Sequence, residues 1–268
     1  MKVSICMITY NHEKYIDKAI NGVLNQKTSF DIELIIANDN STDFTDSIVK
    51  NIIKNHPSGD KIIYLNNPTN IGMMPNFIQT LTKSTGEYIA LCEGDDYWTD
   101  DQKLQKQVDF LDINPDYSIC FHKVSIDKNG EIIDDNITPQ VNLKTSIYDL
   151  AKVNYIHTCS VVYRNHLFES FPDYFHISPI GDYFLHLLNS RFGFIHYIDE
   201  NMANYRVHTT SYWSSKQQED REKIWISFIE NIKYNFDDKV QKLLQKQVDK
   251  LIYNRKSKIE KIIFKLFN

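Results

Sequence analysis

The run Cys92-Glu93-Gly94-Asp95-Asp96-Tyr97-Trp98 places three carboxylates and two large aromatics directly after the apolar stretch Tyr88-Ile89-Ala90-Leu91. Such an apolar stretch reads as a short strand, which puts the acids at its carboxyl end. Clustered carboxylates repel one another and are stable together when a cation or a dense hydrogen-bond network neutralises them. A hard divalent ion held by oxygen ligands and shared with a diphosphate meets that need. Tyr97 and Trp98 add flat surface of the kind that packs against a sugar ring.

Two more polar clusters follow apolar runs in the same way. Thr9-Tyr10-Asn11-His12 ends the run from Val3, and Asn38-Asp39-Asn40-Ser41 ends the run Asp31 to Ala37. Between them, Glu13 to Leu24 is amphipathic at helical spacing, with Ile16, Ala19, Ile20, Val23 and Leu24 on one face. Thr42 to Ile53 reads as a second helix capped by Ser41 or Thr42, and Lys61 to Leu65 as a strand. Pro75 to Lys83 follows as a helix with Pro75 near its first position. Repeated strand-then-helix units imply an α/β fold with a Rossmann-like, mostly parallel central sheet flanked by helices. Ligands bind such sheets beyond the carboxyl ends of the strands, where all three clusters lie.

The second half is less regular. Lys103 to Ile113 reads as a helix stopped by Asn114-Pro115, and Asp127-Lys128-Asn129-Gly130 as a hairpin turn after a strand from Tyr117 to Lys123. Thr158 to Tyr163 and Phe194 to Ile198 read as strands, and Gly181 to Ser190 as a helix with Asp182 at its start. Everything beyond Lys216 reads as helical.

This ordered series resembles glycosyltransferase family 2, whose members have the GT-A fold. The matching stretches are Thr9-Tyr10-Asn11, Asn38 to Asp43, Asn70-Ile71-Gly72, Gly86 to Ala90, Glu93 to Trp98, Gly181-Asp182-Tyr183 and Tyr205-Arg206-Val207-His208. They run to about Trp213 and leave the last fifty or so residues uncovered. The resemblance implies an inverting, metal-dependent transfer of a sugar from a nucleotide-sugar donor, a UDP-sugar, to a glycan acceptor in surface polysaccharide synthesis. It implies that Asp39 accepts the N3–H of uracil while Thr9, Tyr10 and Asn11 line base and ribose. Glu93-Gly94-Asp95 occupies the place of the DXD motif, with Asp95 on Mn2+ or Mg2+ and Glu93 on ribose or metal-bound water. Asp182 stands where relatives place the catalytic base, with Asp96 next in line for work on the acceptor hydroxyl. His208 would supply a further metal ligand and Arg206 a diphosphate contact, while His157 would border the acceptor cleft. Relatives carry Asp-Asp-Gly where this chain has Asn38-Asp39-Asn40. Rival readings are a transferase using a GDP- or dTDP-sugar, a catalytically silent nucleotide-sugar-binding scaffold and a nucleotide-sugar hydrolase.

Bulk composition narrows the setting. Of 268 residues, 42% are hydrophobic and 24% charged, which supplies a core and excludes a membrane-embedded chain. A net charge of −5 gives no basic field for nucleic acid. The expected domains are a GT-A domain over 1–215 and a basic, amphipathic helical extension over 216–268. From Lys239 onward nine Lys or Arg face two acids, Asp249 and Glu260, which leaves −12 for the rest. Val240, Leu243, Leu244, Val248, Leu251 and Ile252, then Ile259, Ile262, Ile263, Leu266 and Phe267, fall at helical spacing among these cations. Such a helix suits either peripheral contact with an anionic membrane, useful for a lipid-linked saccharide acceptor, or packing on the domain or on a second subunit in a homodimer. Cys6, Cys92, Cys120 and Cys159 show no paired spacing and suit buried thiols in a reducing compartment. With no leader visible, the expected location is the cytoplasm.

Overall fold

A computed structural model describes residues 1–135, 138–209, 211, 213 and 215–255. The first half runs β1 (Val3–Thr9), α1 (Ile16–Leu24), β2 (Ile32–Asn38), α2 (Thr45–Asn55), β3 (Ile62–Asn66), α3 (Met73–Lys83) and β4 (Tyr88–Leu91). Next come β5 (Tyr97–Trp98), α4 (Lys103–Ile113), β6 (Tyr117–Lys128), β7 (Glu131–Asp134), β8 (Lys144–Thr145) and α5 (Ile147–Leu150). The chain continues through β9 (Val162–Arg164), α6 (Gly181–Asn189), β10 (Phe194–Val207), α7 (Gln218–Ile232) and α8 (Asp238–Arg255).

Among the described residues all ten strands join one sheet, ordered β3-β2-β1-β4-β9-β6-β10-β5, with β7 on β6 and β8 on β10. The first four strands pair in parallel. β1 and β2 are buried along their length except Ile8, as strands covered by helices on both faces must be. Beyond β4 the sheet becomes mixed: β9 runs antiparallel to both β4 and β6, while β10 runs parallel to β6. The β6–β7 turn is set by Asn129 and Gly130, whose φ values of 54° and 95° match the right-handed twist of a hairpin.

One sheet face packs on α1, α2 and α4 through residues such as Ile20, Val49 and Leu104. The other face packs on α3, α5 and α6, and also on α7 and α8, through Phe77, Leu150, Phe184, Phe228 and Leu244. Val240, Leu244 and Val248 are at most 2% exposed, so this part of the amphipathic face is consumed by the domain's own core. Ile259, Ile262, Ile263, Leu266 and Phe267 lie outside the described residues. Among the described residues no helix is long and apolar enough to cross a membrane. All four cysteines are buried and unbridged.

Two local differences from the sequence expectation have visible causes. α2 starts at Thr45, three residues later than expected, because Asn11 recruits the preceding turn. The Asn11 amide donates to Ser41 Oγ and the Thr42 amide to Asn11 Oδ1, both at 2.8 Å. The expected strand Thr158 to Tyr163 begins as a 3₁₀ turn, Thr158–Ser160, before β9. There the Ser160 amide and hydroxyl both bond the His157 carbonyl, at 2.9 and 2.7 Å, in place of a ladder partner.

Candidate active site

The parallel register brings the three polar clusters to one edge. Thr9 pairs with Asn38, and the Asp39 amide continues the ladder to the Thr9 carbonyl at 3.0 Å. On the other side of β1, the Cys92 and Gly94 amides bond the Cys6 and Ile8 carbonyls at 3.1 and 2.9 Å. The acidic loop is therefore a stiff extension of β4. Gly94 is required between the acids, since a Cβ there would lie 2.8 Å from Thr9 Oγ1 and 3.0 Å from His12 Nδ1. This edge opens into a cleft of about 1200 Å³. Thr9, Tyr10, Asp39, Glu93, Asp95 and Asp182 line it, whereas Asn11, Asp96, Arg206 and His208 stand outside its lining.

Asp95 is the electrostatic centre. Its Oδ2 lies 3.0 Å from His208 Nε2 and 3.8 Å from His12 Nε2. Burial works to raise its carboxyl, but the two imidazoles outweigh that and hold it below the usual carboxylate range. Glu93 is pushed the opposite way: burial, then Asp95, Asp96 and Asp182, raise it well above that range. The unequal pair is what like charges in one dry site produce.

Asp96 and Trp98 play a different part from the expected acceptor contacts. Asp96 is 1% exposed and its Oδ1 accepts the Arg206 backbone amide at 2.7 Å, tying the loop to β10. Trp98 is 5% exposed, donates from Nε1 to the Cys159 carbonyl at 2.8 Å and lies under the Lys103 ammonium. With Tyr97 also buried, the anticipated sugar platform is wall material. Arg206 is held between the rings of Tyr15 and Tyr97, 4.6 and 4.7 Å from their centroids. Its guanidinium bonds Asp127 and the Asp95 carbonyl, so it braces the acidic loop from behind.

At the β2 end, Asp39 Oδ1 and Oδ2 accept the Ile71 and Gly72 amides at 2.7 and 2.9 Å. These bonds fix the loop before α3, with Gly72 at φ 91°; Oδ1 also accepts Asn67 Nδ2 at 3.4 Å, so the spare acceptor capacity is on Oδ2. Asp182 lines the same cleft from the first turn of α6, and its Oδ2 accepts the Thr158 hydroxyl at 3.2 Å. His157 borders the same wall, with Nε2 3.1 Å from Asp135 Oδ2.

Asp39, Glu93, Asp95 and Asp182 thus share the lining of one cleft at the carboxyl edge of a doubly covered sheet. The profile described as glycosyl transferase family 2 matches residues 4–171. The chain belongs to this family. An uncharacterised protein of Mycobacterium tuberculosis is 40% identical over 225 residues, which span 83% of this chain and 63% of that protein. The chain therefore covers less than two thirds of that relative's length. Among solved structures, TarS of S. aureus in complex with UDP-GlcNAc superposes with a TM-score of 0.68 at 18% identity, covering 95% of this chain and 73% of the other. A mannosyltransferase from Pyrobaculum calidifontis in complex with GDP-Man and Mn2+ gives 0.67 at 15% identity, covering 92% and 69%. At these identities the likeness establishes the GT-A fold.

In this family 2 chain several cleft residues escape the motif reading. His12 lines the cleft and has a buried Nδ1 with no hydrogen-bond partner among the described residues. Its signal was its place at the end of β1, beside Thr9. Tyr205, which opens the Tyr205–His208 stretch but was given no role there, also lines the cleft, and its hydroxyl is raised well above the usual range by burial and by the surrounding Asp96, Glu93, Asp95 and Asp182. Trp213 and Trp225 supply the aromatic surface that Tyr97 and Trp98 do not. Trp225 is fixed by stacking on Tyr183, 5.2 Å between centroids, and by an Nε1 bond to Gln247 at 3.0 Å. No motif marks it, because α7 reads only as an amphipathic helix.

The donor set suits a divalent ion whose coordination is completed by substrate. Among the described residues no three acidic, imidazole or thiol groups converge as a complete cage. Mg2+-like ions need only one or two protein ligands when phosphates and water supply the rest. The suppressed charge of Glu93 beside ionised Asp95, and the orphaned His12 Nδ1, are the features a bound cation and an anionic ligand would relieve.

Proposed function

We propose that this chain is an inverting, divalent-metal-assisted glycosyltransferase that moves a sugar from a UDP-sugar to a glycan acceptor in surface polysaccharide synthesis. The observation that carries the reading is that Asp182 and the Glu93–Asp95 loop line one cleft, with Asp182 close enough to act on the charge of Glu93. UDP is favoured by the position of Asp39, a cleft-lining carboxylate beside Thr9 and Tyr10 whose Oδ2 accepts a single bond among the described residues, from the Gly72 amide. TarS, a structural neighbour, holds UDP-GlcNAc.

Thr9, Tyr10 and Asp39 bind the nucleoside against the ends of β1 and β2. Asp95, with His208 and Glu93 beside it, would hold Mn2+ or Mg2+. When bound, that ion offsets negative charge on the diphosphate and on the departing nucleotide. Asp182 Oδ2 is committed to Thr158, which orients the carboxylate and leaves Oδ1 to take the proton of the acceptor hydroxyl. As that oxygen bonds to the anomeric carbon, the bond to the nucleoside diphosphate breaks on the opposite face. One base and one displacement invert the anomeric centre. Asp96 and Arg206 act at one remove, by holding the acidic loop against β10. The domain reading places this chemistry in residues 1–215 with a helical extension beyond, and the cytoplasm is the compartment proposed.

The test is transfer from a panel of UDP-sugars, read by UDP release and by NMR of the product. An anomeric configuration opposite to the donor's is expected, with loss of turnover on adding chelator. Retained configuration would overturn the single-displacement mechanism. Free sugar released as fast with no acceptor would make the chain a hydrolase.

A further inference from the structure

The cleft is charged differently at its two ends. Its acids, Asp39, Glu93, Asp95 and Asp182, sit at the sheet edge and α6. Its lining also includes one face of α7, carrying Gln218, Arg221, Glu222 and Trp225, and one face of α8, carrying Leu243, Lys246, Gln247 and Lys250. Glu222 is already engaged by Arg255 at 2.7 Å. Arg221, Lys246 and Lys250 form no ion pair among the described residues, although Lys27, Lys50, Lys106 and Lys233 elsewhere do.

This wall is fixed in place. Gln247 lies between the two lysines and accepts from Trp225. Its amide donates to the Ala151 carbonyl and the Tyr183 hydroxyl at 2.8 and 3.0 Å. Behind it Val240, Leu244 and Val248 are buried, so the cations are presented on a docked helix. Lys246 and Lys250 are one helical turn apart, about 6 Å along the axis, a spacing that matches successive charges on a phosphorylated ligand. Trp213 and Trp225 lie in the same cleft, giving flat surface for a sugar ring beside the cations.

We infer that the α7–α8 end of the cleft takes an acceptor saccharide that carries phosphate, with Arg221, Lys246 and Lys250 contacting its oxyanions. This rests on the transferase reading and names the acceptor class for that same site. Phosphate of this kind comes either from a lipid diphosphate anchor or from phosphodiester links within a glycan chain. Both present two or more negative charges next to a sugar. A neutral glycan would leave the three cations unused, and clustered like charges without a counter-charge work against the docked helices.

The experiment is calorimetric titration of the protein presaturated with UDP and Mg2+, so that the donor end is filled before the probe is added. The probes are a glycerol phosphate hexamer, monomeric farnesyl diphosphate, an oligogalacturonate and maltohexaose. The expected result is binding of a phosphate probe at least tenfold tighter than maltohexaose or oligogalacturonate. Preference for the hexamer assigns a phosphodiester glycan, and preference for farnesyl diphosphate assigns a lipid anchor. The double variant Lys246→Gln/Lys250→Gln should lose at least tenfold in phosphate-probe affinity while UDP affinity stays unchanged. Lys239→Gln/Lys242→Gln removes the same charge from α8 outside the cleft lining and should leave the probe affinity within about twofold. The inference is overturned if the oligogalacturonate or maltohexaose binds as well as the phosphates, if both double variants lose equally, or if no probe binds the UDP-loaded protein. Failure to bind UDP at all would instead overturn the donor reading.

Discussion

The two ends of the cleft are built by different physics. At the sheet edge, side chains are placed by the backbone ladder: Asp39 and Gly94 each extend a strand pairing by one more hydrogen bond. At the α7–α8 end, side chains are placed by hydrophobic docking through Phe228, Ile229, Val240 and Leu244. A ladder fixes position to a fraction of an ångström and demands particular residues, such as glycine between the acids. Docking demands only an apolar stripe, so the solvent-facing residues on the same helices are free to differ between relatives. On the proposed reading, chemistry and donor binding belong to the first end and acceptor choice to the second.

The sharpest way to break that assignment is at Asp182. Asp182→Asn should lower transfer by roughly a hundredfold to ten-thousandfold, the usual span for a lost general base. UDP affinity by calorimetry should stay the same. Near-normal turnover would move the base to another residue.

Leu244→Ala separates the two ends by stability. The side chain is fully buried on α8, so the change should cost about 2–5 kcal/mol in urea unfolding. Below the unfolding transition, UDP binding should persist while transfer to acceptor declines. Equal loss of both would mean that the two ends do not act separately.

Gly94→Ala attacks the ladder end. Its Cβ must displace Thr9 or His12, at a cost of about 1–3 kcal/mol, and metal-dependent UDP binding should weaken. Unchanged binding would show that the acidic loop tolerates movement and that its stiffness is not needed.

The smallest effect is expected at Trp98. Trp98→Phe loses the bond to the Cys159 carbonyl and should cost about 1 kcal/mol, with the acceptor KM unchanged. Trp225→Ala, by contrast, should raise the acceptor KM severalfold. The opposite pattern would restore Trp98 as the sugar platform.

This contrast also explains what the sequence made legible. The four leading strands and the acids at their ends were readable because parallel buried strands are continuous apolar runs, and open parallel sheets put ligands beyond the carboxyl ends of their strands. Asp96, Trp98 and Arg206 belong to the same motifs, yet burial and the bonds to Arg206, Cys159 and Asp127 turn them into supports. A motif marks which residues a loop needs without saying which face the cleft. His12 was visible only as a neighbour of Thr9. Trp213, Trp225, Arg221 and Lys250 were not legible at all as one wall, because their meeting depends on how α7 and α8 dock. Local periodicity contains no trace of that contact.

The most direct test of the whole account is calorimetric titration with UDP, GDP and dTDP, each in Mn2+ and in chelator, on wild type and on Asp95→Ala. The account predicts selective binding of UDP that requires Mn2+ and falls at least tenfold in the variant. Tight binding of all three bases, or UDP binding indifferent to metal and to Asp95, would contradict it.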